Sequence, residues 1–153
     1  RYWTGTPHHR LYGAIVQLAE LWGVAHLVVD ATGVGAGLAS FLQRTLKGRV
    51  QAFHFTRRSK SELGWGFLGI CKSGRFSDYA DDGGPEWRQF WREVEAADYE
   101  VTSGPNRLMR WGVDDRTIHD DLLISAALCA ALEQSDLGPP LTSQVIEAED
   151  PLP

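Results

Sequence analysis

Asp30 closes the short apolar run Leu27-Val28-Val29 and opens onto a glycine-rich stretch, Thr32-Gly33-Val34-Gly35-Ala36-Gly37. Open α/β sheets bind their ligands outside the carboxyl ends of their strands, so a carboxylate there stands at the rim of a site. The alternative is an aspartate that only shapes the turn. The second cluster is Thr117-Ile118-His119-Asp120-Asp121, immediately before Leu122-Leu123-Ile124. Thr117 as N-cap with Asp120 three residues on would make a capping box. Both acids also suit the positive end of a helix. Capping needs only one of them. The other adds carboxylate oxygen where a core helix begins, the donor type that Mg²⁺ and similar hard cations prefer. If Asp30 and the Asp120–Asp121 pair converge, they make one metal site or half of a two-metal site, with His119 beside it.

Other chemistries find less support. Gly33, Gly35 and Gly37 give G-x-G-x-G, and Leu38 stands where a dinucleotide fingerprint needs its third glycine. No Gly-Lys-Ser/Thr follows, so the run is not a P-loop. A tight strand-to-helix turn is the simpler reading of these glycines. His8, His9, His26, His54 and His119 show no zinc-ligand spacing. Cys71 and Cys129 lie in apolar stretches without ligand spacing and are too few for a disulfide scaffold, which points to a reducing compartment. No G-x-S-x-G elbow is present.

The elements that must position these residues follow from periodicity. Leu11, Ile15, Leu18, Ala19 and Trp22 recur at helical spacing over residues 8–22, between Pro7 and Gly23. Leu27-Val28-Val29 predicts a fully buried, parallel strand ending at Asp30. A helix over about 36–47 is followed by an alternating strand over 50–55. Further helices are predicted over 59–72 and 86–96, with Phe76 in a short strand between them. Tyr99–Thr102 and Arg107–Trp111 predict a hairpin around Ser103-Gly104-Pro105-Asn106. A last helix is expected over about 118–134. Tyr2-Trp3 also has strand propensity. This alternation predicts an α/β fold with a central, partly parallel mixed sheet flanked by helices, and a β-hairpin before the last helix.

The 153 residues are 43% hydrophobic and 23% charged, the balance of one soluble globular domain over residues 1–135. Residues 136–153 hold four prolines and four acids without periodicity, and read as a poorly ordered tail. No apolar run approaches the roughly 20 residues needed to span a bilayer, and no secretory signal pattern opens the chain. The start at Arg1-Tyr2-Trp3, without Met, reads as the interior of a longer polypeptide. The net charge of −5 argues against coating nucleic acid through an all-basic face. The charge is polarised, however. Residues 44–75 carry a net +7 and residues 76–100 a net −6. A chain so polarised can offer a polyanion one cationic surface while staying acidic overall, or both blocks can be no more than solvated helix faces.

The motifs together resemble a known family. The stretch Val29-Asp30-Ala31-Thr32-Gly33-Val34-Gly35 is followed by Arg58-Ser59-Lys60-Ser61-Glu62-Leu63, then Lys72-Ser73-Gly74-Arg75-Phe76, a hairpin, and His119-Asp120-Asp121-Leu122. This series over roughly residues 1–134 is similar to the C-terminal nuclease domain of the large terminase subunit of tailed phages and prophages. The resemblance implies an RNase H-like fold and a divalent-metal-dependent endonuclease that cuts concatemeric double-stranded viral DNA during genome packaging. It implies a two-metal site, with Mg²⁺ or Mn²⁺, in which Asp30 and Asp121 with Asp120 are ligands and His119 orients a carboxylate or water. It implies nucleic-acid contacts from Arg57, Arg58, Lys60, Arg107 and Arg110. It further implies work in the cytoplasm of a bacterial host, alongside an N-terminal packaging ATPase domain of the same polypeptide, a portal and a small terminase subunit. The family's first metal carboxylate, on its first strand, has no counterpart here. The expectation is therefore a domain lacking its first strand or strands, weak or inactive in isolation, and prone to pair as a homodimer through an exposed strand edge.

Two other classes compete. One is a noncatalytic docking module of a packaging motor, or a decayed prophage protein, for which exposed tryptophans among the six would speak. Core packing is the expectation for Trp22, Trp87 and Trp91. The other is a nucleotide-binding domain using the Gly33–Gly37 loop.

Overall fold

Pro7 supplies a φ of −59° at the head of the first helix, and its carbonyl accepts the N–H groups of Arg10 and Leu11 at 2.9 and 3.1 Å. Helix α1 then runs His8–Leu21 until Gly23, at φ +56°, turns the chain. Strand β1, Leu27–Asp30, follows, then helix α2, Gly35–Thr45, and strand β2, Val50–Phe53. Helix α3 covers Arg57–Lys72 and helix α4 covers Pro85–Ala96. Strands β3, Ala97–Val101, and β4, Met109–Val113, precede helix α5, Asp121–Leu128, which tightens into a 3₁₀ turn over Cys129–Gln134. The computed structural model describes residue 3, residues 5–105 and residues 107–134.

Strands β1 and β2 pair in parallel, Asp30 opposite Phe53. Helices cover both faces of this ribbon. On one face Ala19, Leu42 and Leu46 pack with Leu27, Val29 and Val50 from the strands. On the other, Leu63, Ala127, Leu128 and Ala130 pack with Val28 and Phe53. Side chains alternate along a strand, so Asp30 shares the Val28 face and projects on the side of α3 and α5. Leu42 and Leu46 are fully buried, and truncating either to alanine costs about 2–5 kcal/mol.

The second sheet is the antiparallel hairpin β3–β4. It is fastened to α3 by side chains: the Met109 N–H donates to Ser61 Oγ at 2.8 Å, and the Trp111 indole N–H donates to the Lys60 carbonyl at 2.7 Å. Gly64 makes this contact possible. A Cβ there would stand 2.5 Å from Trp111 Cδ1 and 2.8 Å from Met109 Sδ.

The architecture is mixed α/β, with five α-helices and two small sheets among the described residues. The expected single central sheet is not formed there, because the hairpin attaches to α3 through side chains rather than to β1 or β2 through a backbone ladder. The strand ending at Asp30 is half-buried rather than fully buried, since β2 is its one described neighbour in the sheet. Phe76 lies in no strand; its ring packs edge-on against Phe67 at 5.3 Å and meets Phe90 at 6.2 Å. Helix α3 begins two residues earlier than periodicity suggests, because Thr56 and Ser59 form a capping box. The hairpin strands are offset, with the connection widened to residues 102–108. Arg107 there adopts φ +40°. Of the expected Tyr2-Trp3 strand, Tyr2 lies outside the described residues and Trp3 is not in a strand. The tail 136–153 also lies outside them. No described helix is long and apolar enough to cross a membrane.

Candidate functional site

Asp30 is held by its own turn. The Thr32 N–H donates to Asp30 Oδ1 at 2.7 Å, and Thr32 Oγ1 accepts the Phe55 N–H at 2.8 Å. The turn after β1 is thereby tied to the segment that leads into α3. Gly35 explains part of the glycine run: a Cβ at that position would collide with the Asp30 carbonyl oxygen. The glycines serve a tight strand-to-helix turn, with Gly33 at φ +56°.

Asp120 meets the start of α3. Its Oδ2 stands 4.0 Å from Lys60 Nζ, and it lies directly over Gly112, where a Cβ would be 2.7 Å away. Gly112 takes φ +139° within β4, a conformation open to glycine that also leaves room for the carboxylate. Lys60 Nζ lies 5.4 Å from the centre of the Trp111 ring, within cation–π range. Lys60 is therefore bracketed by an acid, an aromatic face and its own carbonyl's bond to the indole.

The expected capping box at Thr117 is not formed. Thr117 instead gives its N–H and hydroxyl to Asp115 Oδ1, both at 2.7 Å, which lowers the Asp115 pKa. Asp120 is the N-cap residue of α5, without a side-chain cap bond, and Asp121 is the first helical residue. The cap comes from another helix. Glu93 on α4, fully buried, accepts the Leu123 N–H through Oε2 at 2.9 Å and the Gln89 side-chain amide through Oε1 at 3.0 Å. Sequence reasoning missed Glu93 by reading residues 76–100 as a solvated acidic face. The signal was its place on the apolar arc of α4, three residues after Phe90 and one before Val94.

The cationic candidates divide. Arg57, Lys60 and Arg110 line one cleft of about 1180 Å³ between the start of α3 and the hairpin, together with Phe55, Tyr99 and Trp111. Arg58 and Arg107 do not line it. Arg58 bonds Glu62 at 2.8 Å, one turn on, which raises the guanidinium pKa further. Arg110 pairs with its cross-strand neighbour Glu100 at 2.8 Å. Asp98, Glu100 and Asp114 also line the cleft, so its charge is mixed rather than basic throughout. His119 is exposed.

Among the described residues no three His, Cys, Asp or Glu side chains are grouped so as to hold an ion. Asp30 and the Asp120–Asp121 pair have the donor chemistry that Mg²⁺ or Mn²⁺ takes, with waters completing the shell. Trp22, expected in the core, is 74% exposed, whereas Trp87 and Trp91 are half-buried. Cys71 is exposed, and partial desolvation raises its thiol pKa, which disfavours the thiolate. Compared with known proteins, the chain matches no family model, no curated protein and no solved structure.

Proposed function

We propose that this chain is a nuclease domain of the terminase type, RNase H-like in plan, acting on double-stranded DNA with Mg²⁺ or Mn²⁺. The observation that carries the reading is the contact between Lys60 and Asp120. It joins the cationic start of α3 to the carboxylates opening α5, beside the cleft lined by Arg57 and Arg110. Asp30 supports it from the carboxyl end of a parallel strand, on the face that α3 and α5 cover. In this arrangement Lys60 and Arg57 meet backbone phosphates, which fixes the duplex without reading sequence. Asp30, Asp120 and Asp121 supply carboxylate oxygen near the scissile bond, and His119 stands beside them in the chain. On the same reading the domain works in a bacterial host's cytoplasm beside a packaging ATPase, a portal and a small terminase subunit.

The test is plasmid nicking with Mn²⁺, comparing the unmodified chain with Asp30→Asn and with EDTA present. Nicking that needs the metal and is lost in Asp30→Asn supports the reading. Nicking that persists in Asp30→Asn removes Asp30 from the site.

A second reading, a noncatalytic docking module, has one observation of its own. Leu21 and Trp22 at the end of α1 are 48% and 74% exposed, side by side. Aromatic residues in such settings anchor interfaces. A well-folded protein that neither nicks DNA nor binds it would favour this reading.

A further inference from the structure

The cleft between the start of α3 and the hairpin carries more aromatic surface than phosphate binding requires. Tyr99 and Trp111 are directly opposed on β3 and β4, so their rings leave the sheet on one face. Both line the cleft. Trp111 is already committed, its indole N–H to the Lys60 carbonyl and its ring to the Lys60 ammonium. Tyr99 is half-exposed, and its ring makes no aromatic pair among the described residues.

A stacked duplex offers phosphates and groove edges to a protein but keeps its ring faces inside. An exposed aromatic ring next to a cation suits a different ligand: a base stacks on the ring while its phosphate meets the charge. The charge also selects. Glu100 is neutralised by Arg110, but Asp98 and Asp114 also line the cleft. Those two acids oppose a second phosphate chain more than they oppose a base. We infer that this cleft takes an unpaired nucleotide of a nucleic-acid strand, its base stacked on Tyr99 and its phosphate at Lys60 and Arg57. At about 1180 Å³ the cleft exceeds the roughly 300–1,000 Å³ of ordinary small-ligand pockets. The inference rests on the nucleic-acid reading above and narrows its ligand from duplex to a locally opened strand.

The experiment is fluorescence anisotropy of the whole chain with end-labelled oligo(dT) of about 12 nucleotides, and with a duplex of equal length, in EDTA. Tyr99→Ala should weaken oligo(dT) binding between about 5-fold and 100-fold, the loss of one base–aromatic stack. It should leave duplex affinity within about twofold, because duplex contacts go to phosphates. Tyr99→Phe, which keeps the ring, should bind oligo(dT) as the unmodified chain does. Equal melting temperatures for the three proteins exclude a folding defect. If the duplex binds and Tyr99→Ala leaves oligo(dT) affinity unchanged, or weakens both ligands alike, the stacking site is overturned while the nuclease reading stands. If neither ligand binds, both fall.

Discussion

Glu93 on α4 accepts the backbone N–H of Leu123 on α5, through Oε2 at 2.9 Å. A buried acid from one helix thus caps the start of another, in place of the Asp120 side chain. Glu93→Ala leaves the Leu123 N–H and the Gln89 amide without their acceptor inside the protein. That should cost about 1–3 kcal/mol, seen as a lower urea midpoint with an unchanged slope. Glu93→Gln keeps one acceptor oxygen and should lose less. Equal losses in the two variants would show that a single acceptor oxygen does not sustain the cap.

Gly64 sets the distance between α3 and the hairpin. Gly64→Ala places a methyl group against Trp111 and Met109, so the hairpin must shift. The cost should be about 1–3 kcal/mol, although alanine is the better helix former by about 1 kcal/mol. A thermal melt showing Gly64→Ala as more stable would mean the hairpin sits elsewhere.

Asp115 gives a signature in acid. Its folded pKa is lowered, first by the Thr117 backbone N–H and next by the Thr117 hydroxyl. A lowered carboxyl pKa contributes stability above its unfolded value, ordinarily about 3.9, and that contribution is lost as pH falls through the folded value. Thr117→Val removes the hydroxyl bond alone. Stability of the variant should therefore fall below the parent's from about pH 5 upward and converge with it as pH falls through the folded value. Urea titrations across that range check this, and a constant offset at every pH would refute it.

The proposed function places Lys60 on phosphate. Lys60→Ala should reduce the slope of log affinity against log salt by about one, with equal effect on unrelated DNA sequences. Anisotropy titrations at several salt concentrations measure this. An unchanged slope would leave Lys60 as a structural partner of Asp120 and Trp111 alone.

On the proposed reading, Asp30→Asn should lower whatever Mn²⁺-dependent nicking the chain shows at least about 10-fold while changing duplex affinity little, because it removes a ligand charge but no phosphate contact. Single-turnover rates beside binding curves separate the two effects. A parallel loss of binding would point to damage in the Thr32 turn.

Much of this molecule is readable from local pattern. The helical spacing of Leu11, Ile15, Leu18 and Ala19 locates α1, and the apolar run before Asp30 locates β1, because each face there meets a single neighbour. The sheet plan is not readable in the same way. Whether a hairpin joins a central sheet depends on long-range pairing, and here Ser61, Lys60 and Gly64 draw β4 onto α3 instead. Thr117 misled for a related reason: Asp115, two residues earlier, competes successfully for its hydroxyl. Glu93 was hidden because acids in a charged stretch are mostly solvated, and only the tertiary meeting of α4 with α5 gives this one its partner. Of the candidate site, the cations at the start of α3 and the acids opening α5 were legible separately. Their meeting through Lys60 and Asp120 required the fold.

No loop separates α4 from β3; Ala96 is the last helical residue and Ala97 the first of the strand. The hairpin consequently has two anchors: the last turn of α4, next to the bond that Glu93 makes to Leu123, and the start of α3. On the proposed reading, a strand bound across Tyr99 would reach the Leu123 amide through the first of them. Hydrogen exchange at that one amide should then report occupancy of the cleft from the far side of the hairpin, and no change on adding oligo(dT) would mean the joint is slack.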